Sequence, residues 1–422
     1  MHISGYRFSL IITTLLLCMW IIGGCASNAA SPAQIGSRVT SSDAASSEQT
    51  DSQTFSQDVA DSAITDYHAS SWAAMEPTGH MPLDYATEFA VDYYDDLALI
   101  TIGGTDRYLL IPENAKAPAD LNTDIIPIRK PDTIYLAASA GMDYFRVLKA
   151  LDTVRMTSTQ AVNWSLPEVV QALDSEKMLY AGKYSAPDYE LLLREGIDLA
   201  IESTMIYHTP ETKEKIEKLG IPVLVDKSSY EPHPLGRMEW IKLYGLLLDK
   251  TDEADAFYNE QLASLAAVPE LSKMLSSQDS PTVAYFYITS SGYANVRSPG
   301  DYISKMIEMA GGSYAFADAS VSEDSAKATM NMQMEAFLDR ALLSDILIYS
   351  TSIDGELHSA EELYKKAPML KQSKAASAGN IWITDKNMYQ QTTAVAEMML
   401  ELHSVITGNA DEDELIFLHK LK

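Results

Sequence analysis

Two apolar runs in this chain end in the same five-residue pattern, Asp226-Lys227-Ser228-Ser229-Tyr230 and Asp385-Lys386-Asn387-Met388-Tyr389. A tyrosine at the end of a buried strand carries a flat apolar face and a hydroxyl, which suits holding a ligand. Other aromatic and polar residues follow apolar runs in corresponding places. They fall in Ser139 to Met142; Thr204 to His208, with Tyr207; Tyr230 to His233; Ser290 to Arg297, with Tyr293; and Asn387 to Gln391, with Gln390. Trp164, in TQAVNWSLP, adds an aromatic wall. In open parallel sheets, ligands bind beyond the carboxyl ends of the strands, so these loops form the candidate ligand surface.

Each of these residues also has a plainer use. His208 and His233 could ligate a metal, but a lone loop histidine is more often a solvated or capping residue, and no H-x-x-x-H, cysteine cluster or dense aspartate run marks a metal cage. Arg297 precedes Ser298-Pro299-Gly300-Asp301, a good helix start, and could be a surface residue or the contact of an anionic chelate. Strand-end tyrosines also serve in packing, and the 19 methionines fill helix faces by default. Nothing resembles a catalytic constellation. There is no G-x-S-x-G elbow or phosphate-cradling glycine loop, and Gly103-Gly104 sits in a hairpin turn. An enzyme is not expected.

The elements that carry these loops are built twice. SAPDYELLLREGIDLAIES, residues 185–203, reads as a helix feeding a buried strand, with Glu190 in the first turn and Asp198 before the strand. NMQMEAFLDRALLSDILIYS, residues 331–350, has Glu335 and Asp345 in the matching places. TIYLAASAGMDYF opens one half and VAYFYITSSGYANV the other. This β-α alternation predicts two α/β lobes with parallel sheets, residues 81–250 and 276–422, joined by a helix over 251–275 with its acids early. Ahead of them, YATEFAVDYYDDLALITIGGTDRYLLIP alternates in a way that predicts antiparallel strands at a sheet edge.

The chain has 422 residues, 46% of them hydrophobic, enough for more than one core. A net charge of -28 leaves no basic face for nucleic acid or for docking on anionic lipid through protein charge. Arg7 precedes an apolar run that is short for a permanent span and ends in Ile22-Gly23-Gly24-Cys25. This resembles the lipobox of bacterial lipoproteins, which implies a signal peptide over 1–24, an acylated Cys25 inserted in the lipid bilayer, and an extracytoplasmic location. Cys18 would be discarded, leaving no disulfide framework. Residues 25–80, rich in Ser, Ala, Gln and Asp, are expected to be a flexible tether.

PDYELLLREGIDLAIES, KLGIPVLVDKSSYEPHPLGRMEWIKLYGLLLDKTDEADAFYNEQ and MIEMAGG together resemble the helix-linked class of ABC-transporter substrate-binding proteins. The similarity covers roughly 131–422. It implies two Rossmann-like lobes joined by one long helix with a ligand cleft between them. It also implies a monomer without a resident cofactor that captures a metal chelate: a ferric siderophore first, cobalamin or haem as alternatives. The same resemblance makes Glu190 and Glu335 docking contacts to arginines of the ABC permease, one per lobe. From the residues alone, both acids could simply favour a helix N-terminus. The hairpin region, residues 84–112, extends beyond the family's core. A bare-metal carrier, an anchored enzyme and an adhesin are the other readings this architecture allows.

Overall fold

The computed structural model describes residues 71–266, 280–319, 328–351 and 355–422. The Cys25 site, the signal segment and most of the tether lie outside the described residues, as does the end of the connecting helix beyond 266.

After a 3-10 turn, Trp72–Ala74, comes a five-stranded accessory sheet: β1 (Gly79–His80), β2 (Phe89–Tyr94), β3 (Leu97–Ile102), β4 (Asp106–Leu110) and β5 (Ile125–Ile128), in that spatial order. β1 to β4 are antiparallel neighbours, and β5 runs parallel to β4. The alternating pattern is thus antiparallel as expected, but it builds a sheet of its own instead of the edge of a lobe. β3 is buried on both faces. Ala98 and Ile100 face the lobe, while Leu97 and Leu99 lie under Trp72, Leu109 and Ile125. The tether, expected to reach residue 80, stops short of it. Trp72 is buried beside Tyr94, with its backbone N donating to Asp120 at 2.7 Å, and β1 is already paired.

The N-terminal lobe holds a wholly parallel sheet in the order β12-β11-β6-β7-β8. Its strands are β6 (Ile134–Leu136), β7 (Val154–Thr157), β8 (Leu179–Tyr180), β11 (Leu199–Ser203) and β12 (Val223–Asp226), with a small hairpin of β9 (Gly182–Lys183) and β10 (Ala186–Pro187). β12 would be a bare edge, but Tyr108 of β4 is fully buried against it and its hydroxyl donates to the Val223 carbonyl at 2.7 Å. The accessory sheet therefore covers that edge, satisfying an acceptor that burial would otherwise orphan.

The C-terminal sheet runs β16-β14-β13-β17-β18-β19, with β15 (Ser313–Tyr314) paired to the start of β13. Its strands are β13 (Thr282–Ile288), β14 (Ala294–Arg297), β16 (Thr329–Met332), β17 (Ile346–Tyr349), β18 (Ile381–Thr384) and β19 (Leu418–Lys420). The parallel trio β13-β17-β18 repeats β6-β11-β12, the correspondence expected from sequence. Asp198 and Asp345 mark equivalent staples. Asp198 accepts from the backbone N of Asp132 and Thr133 at 3.0 and 2.9 Å, and Asp345 from that of Thr282 at 2.9 Å. Each carboxylate ties the start of one strand to the start of its neighbour.

A helix over Thr251–Ala266 leaves the N-terminal lobe. One apolar core runs continuously from Ile100 of the accessory sheet through Leu136 and Tyr244 to Ile303, Met306 and Leu402 of the C-terminal lobe. Lobes that share a core are positioned for small adjustments, not wide hinge opening.

Candidate functional site

The repeated Asp-Lys-x-x-Tyr pattern is first a turn device. Asp226 accepts from the backbone N of Ser228 at 2.8 Å, and Asp385 from that of Asn387 at 3.0 Å. Such side-chain turns end a strand and aim the next residues out of the sheet. The two tyrosines then meet different surroundings. Tyr230 is 42% exposed, whereas the Tyr389 hydroxyl is enclosed by Tyr285, Ser350 at 3.1 Å and Arg297, whose Nη2 donates at 2.6 Å.

Around Tyr389 the cleft is closed by the protein itself. Gln390 reaches into the N-terminal lobe, where its Oε1 accepts from Ser165 N and Oγ, both at 2.7 Å, and its Nε2 donates to the Asn163 carbonyl at 2.8 Å. Thr393 donates through N and Oγ1 to the buried Asp143 at 2.9 and 2.5 Å. Thr392 donates to the Ala140 carbonyl at 2.8 Å. Buried Arg237 sits over the Tyr302 ring at 4.5 Å, and its Nη2 makes long bonds of 3.4 Å to Tyr389 O and Thr392 Oγ1. Arg297 faces Asp301 at 3.7 Å. Burial pushes the Tyr285 phenol well up. Burial acts upward on Tyr389 too, but the Arg297 guanidinium and hydrogen bonds from Ser350, Tyr285 and Arg297 together outweigh it, leaving that phenol below its ordinary value.

Several of the expected ligand contacts thus have partners within the protein. Gln390 spends its side-chain amide across the lobe boundary, the Tyr389 hydroxyl is engaged within its own lobe by Tyr285, Ser350 and Arg297, and Arg297 also faces Asp301. Met142 is fully buried in the shared core, where an unbranched side chain fills space. Ser139 is half-buried at the start of a 3-10 turn, residues 139–141. Trp164 is only 7% exposed, with Nε1 donating to Thr159 O at 3.2 Å. It floors a shallow depression of about 510 Å³ with Pro167 and Gln171. The residues that line it all come from the segment 164–175 of the N-terminal lobe, and none of the exposed tyrosines is among them.

The loops after β11 and β12 leave more of their side chains exposed. Tyr207, Tyr230 and Tyr293 are 46%, 42% and 37% exposed, and Met205, unremarked in the sequence, is 46% exposed on the same loop as Tyr207. Large apolar groups left exposed together at strand ends are a binding surface in waiting. Burial, then Asp106 and Tyr230 nearby, push the Tyr207 phenol up to about 12. Lys227 lies 5.8 Å from its ring centroid. His208 is exposed, and His233 is a helix cap whose Nδ1 accepts from Leu235 N at 3.2 Å. Among the described residues, no three His, Cys, Asp or Glu side chains gather to hold a bare ion.

Residues 138–388 match the periplasmic binding protein family. The chain belongs to that family. It is 23% identical over 329 residues to an uncharacterized lipoprotein of Methanocaldococcus jannaschii, covering 75% of this chain and 80% of the relative. Among solved structures it is similar to a periplasmic haem-binding protein from Pseudomonas aeruginosa, with a TM-score of 0.55 and 15% identity over 69% of this chain and 98% of that one. It is also similar to the petrobactin-binding protein YclQ from Bacillus subtilis, with a TM-score of 0.52 and 15% identity over 66% and 93%. At such identity the structures share the fold. The family and both neighbours are named for binding. The family match leaves out the accessory sheet. Glu190 and Glu335 are both exposed in the first turns of the helices Tyr189–Arg194 and Met334–Ala341. Asp188, not Glu190, caps the first of these, accepting from Leu191 N at 3.0 Å.

Proposed function

We propose that this protein captures a metal chelate outside the cell, a ferric siderophore first, and delivers it to an ABC importer. The observation that carries this reading is the exposed surface of Tyr207 and Tyr230, with Met205 beside them, at the carboxyl ends of β11 and β12 in a chain with a second lobe of the same build. A surface of tyrosine faces and hydroxyls suits a bulky chelate with an organic shell better than a naked ion, which needs converging charged ligands. Cobalamin and haem are the alternatives within the same role.

Anchoring through an acylated Cys25 fits a protein that hands its cargo to a membrane partner, and the lipoprotein relatives support it. Glu190 and Glu335, one exposed carboxylate per lobe, are the proposed contacts to permease arginines. Thermal shift across ferric siderophores, haem, cobalamin and free divalent metals tests the reading, since a ligand that binds only the folded form raises Tm. A rise with a chelate is expected. Rises confined to free metal ions would overturn it.

A further inference from the structure

The accessory sheet lies outside the family match, yet its leading segment is buckled to the cleft side of the N-terminal lobe. Glu239, fully buried, accepts from the backbone N of Asp84, Tyr85 and Ala86, the last two at 2.8 Å. Glu231, also buried, accepts from the backbone N of Thr87 and Glu88 at 2.8 and 2.9 Å. Lys242 and Trp240 complete the two carboxylates at 2.8 Å each. Five successive backbone donors on two buried anions are charge-assisted bonds, and they fix the strap rigidly. Gly236 lets it approach, because a Cβ there would stand 2.8 Å from the Tyr85 carbonyl.

The strap's backbone donors are thus used up, Thr87 adds its hydroxyl to Glu231 at 3.1 Å, and the Tyr85 side chain is left free of the buckle. Tyr85 is 37% exposed and stacks on His233 with 4.4 Å between ring centroids. His233 follows Tyr230 in the same loop, and Lys305 of the opposite lobe is near enough to lower its pKa, after burial. Tyr85 therefore stands at the mouth of the cleft. Glu88 is within electrostatic reach of Lys227 and Tyr207. The β3–β4 turn closes the same patch from the other side: the end of the Lys227 side chain lies across Gly103, and Asp106 meets Tyr207.

We propose that the accessory sheet is one wall of the ligand site, with Tyr85 and Glu88 touching the chelate, and that this wall selects a neutral or cationic chelate over an anionic one. The proposal rests on the chelate-capture reading above. Its charge argument is local. Glu88 and Asp106 face the patch beside Lys227, while Lys305 of the opposite lobe is paired with Glu308 at 3.2 Å, Arg297 is engaged by Asp301 and Tyr389, and Arg237 is sealed under Tyr302. A chain of net charge -28 adds a long-range field of the same sign. A tris-catecholate trianion or a haem with two carboxylates meets repulsion here. A tris-hydroxamate, an amine-bearing chelate or an amide-rimmed corrinoid meets tyrosine hydroxyls and carboxylate acceptors.

The test is titration calorimetry of the full chain in detergent with five probes. They are a neutral ferric tris-hydroxamate, its amine-bearing cationic counterpart, a cyano-corrinoid, a trianionic ferric tris-catecholate and haem. A neutral or cationic probe is expected to bind at least about tenfold tighter than both anions. Tyr85→Ala should weaken that probe by about tenfold with Tm unchanged, because the strap is held through its backbone. Glu88→Gln should lower affinity for the cationic probe about threefold to tenfold and narrow the gap to the anions. Tightest binding of the tris-catecholate or haem would overturn the selectivity while leaving chelate capture standing. Unchanged affinity in both variants would remove the accessory sheet from the site. Binding of none of the five would defeat the capture reading itself.

Discussion

Tyr230 and Tyr389 end the same turn in two lobes of one chain, and they do different work. The aspartate that shapes the backbone is used alike in both, through Ser228 N and Asn387 N. What differs is what lies opposite. Tyr389 meets Arg297, Tyr285 and Ser350, and the next residues clasp the N-terminal lobe through Gln390, Thr392 and Thr393. Tyr230 meets solvent, next to Tyr207. A duplicated motif therefore fixes where the chain turns but not what the turn is for. One copy became part of the joint and the other part of the mouth.

Stability separates the two sides most sharply. Arg297→Ala leaves Asp301 buried without its cation, and urea unfolding should register a loss of about 3–5 kcal/mol. Tyr230→Ala, on the exposed copy, should fall within about 0.5 kcal/mol of the parent protein. Equal losses would erase the distinction between joint and mouth.

A second contrast lies one strand earlier in the repeat. Tyr349 at the end of β17 packs edge-on against Phe286, 5.6 Å between centroids, while the equivalent position in β11 is Glu202, fully buried with neither carboxylate oxygen hydrogen-bonded. Burial pushes the Glu202 carboxyl up from 4.5 to about 8. Between those values the folded protein keeps a proton that the unfolded chain has released, so stability falls as pH rises through that window. Glu202→Gln should raise Tm by several degrees at pH 8 and change it little at pH 5. A Tm gain of the same size at both pH values would exclude the titration.

The clasp should matter less. Gln390→Ala removes three bonds between lobes at a partly exposed site, for an expected loss of about 1–2 kcal/mol and faster chelate release in stopped flow. An unaltered release rate would show that this contact does not gate the ligand. The smallest effect on the isolated protein belongs to Glu190→Gln and Glu335→Gln, which should leave Tm and chelate affinity alone while uptake falls, more in the double variant than in either single one. Normal uptake by the stable double variant would return both acids to the role of helix-dipole partners.

The repeat was legible because it is local: β-α order, the paired aspartates and the strand-end tyrosines all sit within short windows of pattern. Asp198 and Asp345 stood out as repeated, although their stapling of neighbouring strands became visible only in three dimensions. Trp72 was hidden in a Ser- and Ala-rich stretch whose composition argued for disorder, because one aromatic weighs little in a composition and much in a small core. The strap on Glu231 and Glu239 joins residues more than 140 apart, and the clasp on Ser165 joins residues 225 apart. No periodicity records such partners. A warning was nonetheless present in GRMEWIK, where three charged residues interrupt a helix apolar enough to be buried. Buried charges require partners, and here the strap and the opposite lobe supply them.

The central claim is that cargo is held by the exposed tyrosines and not by their buried counterparts. Its most direct measurement is chelate affinity by calorimetry in Tyr207→Ala/Tyr230→Ala, with Tm followed in parallel. A loss of about tenfold to hundredfold at unchanged Tm is the predicted result. Parent-like affinity in that double variant would contradict the account and move the ligand elsewhere on the molecule.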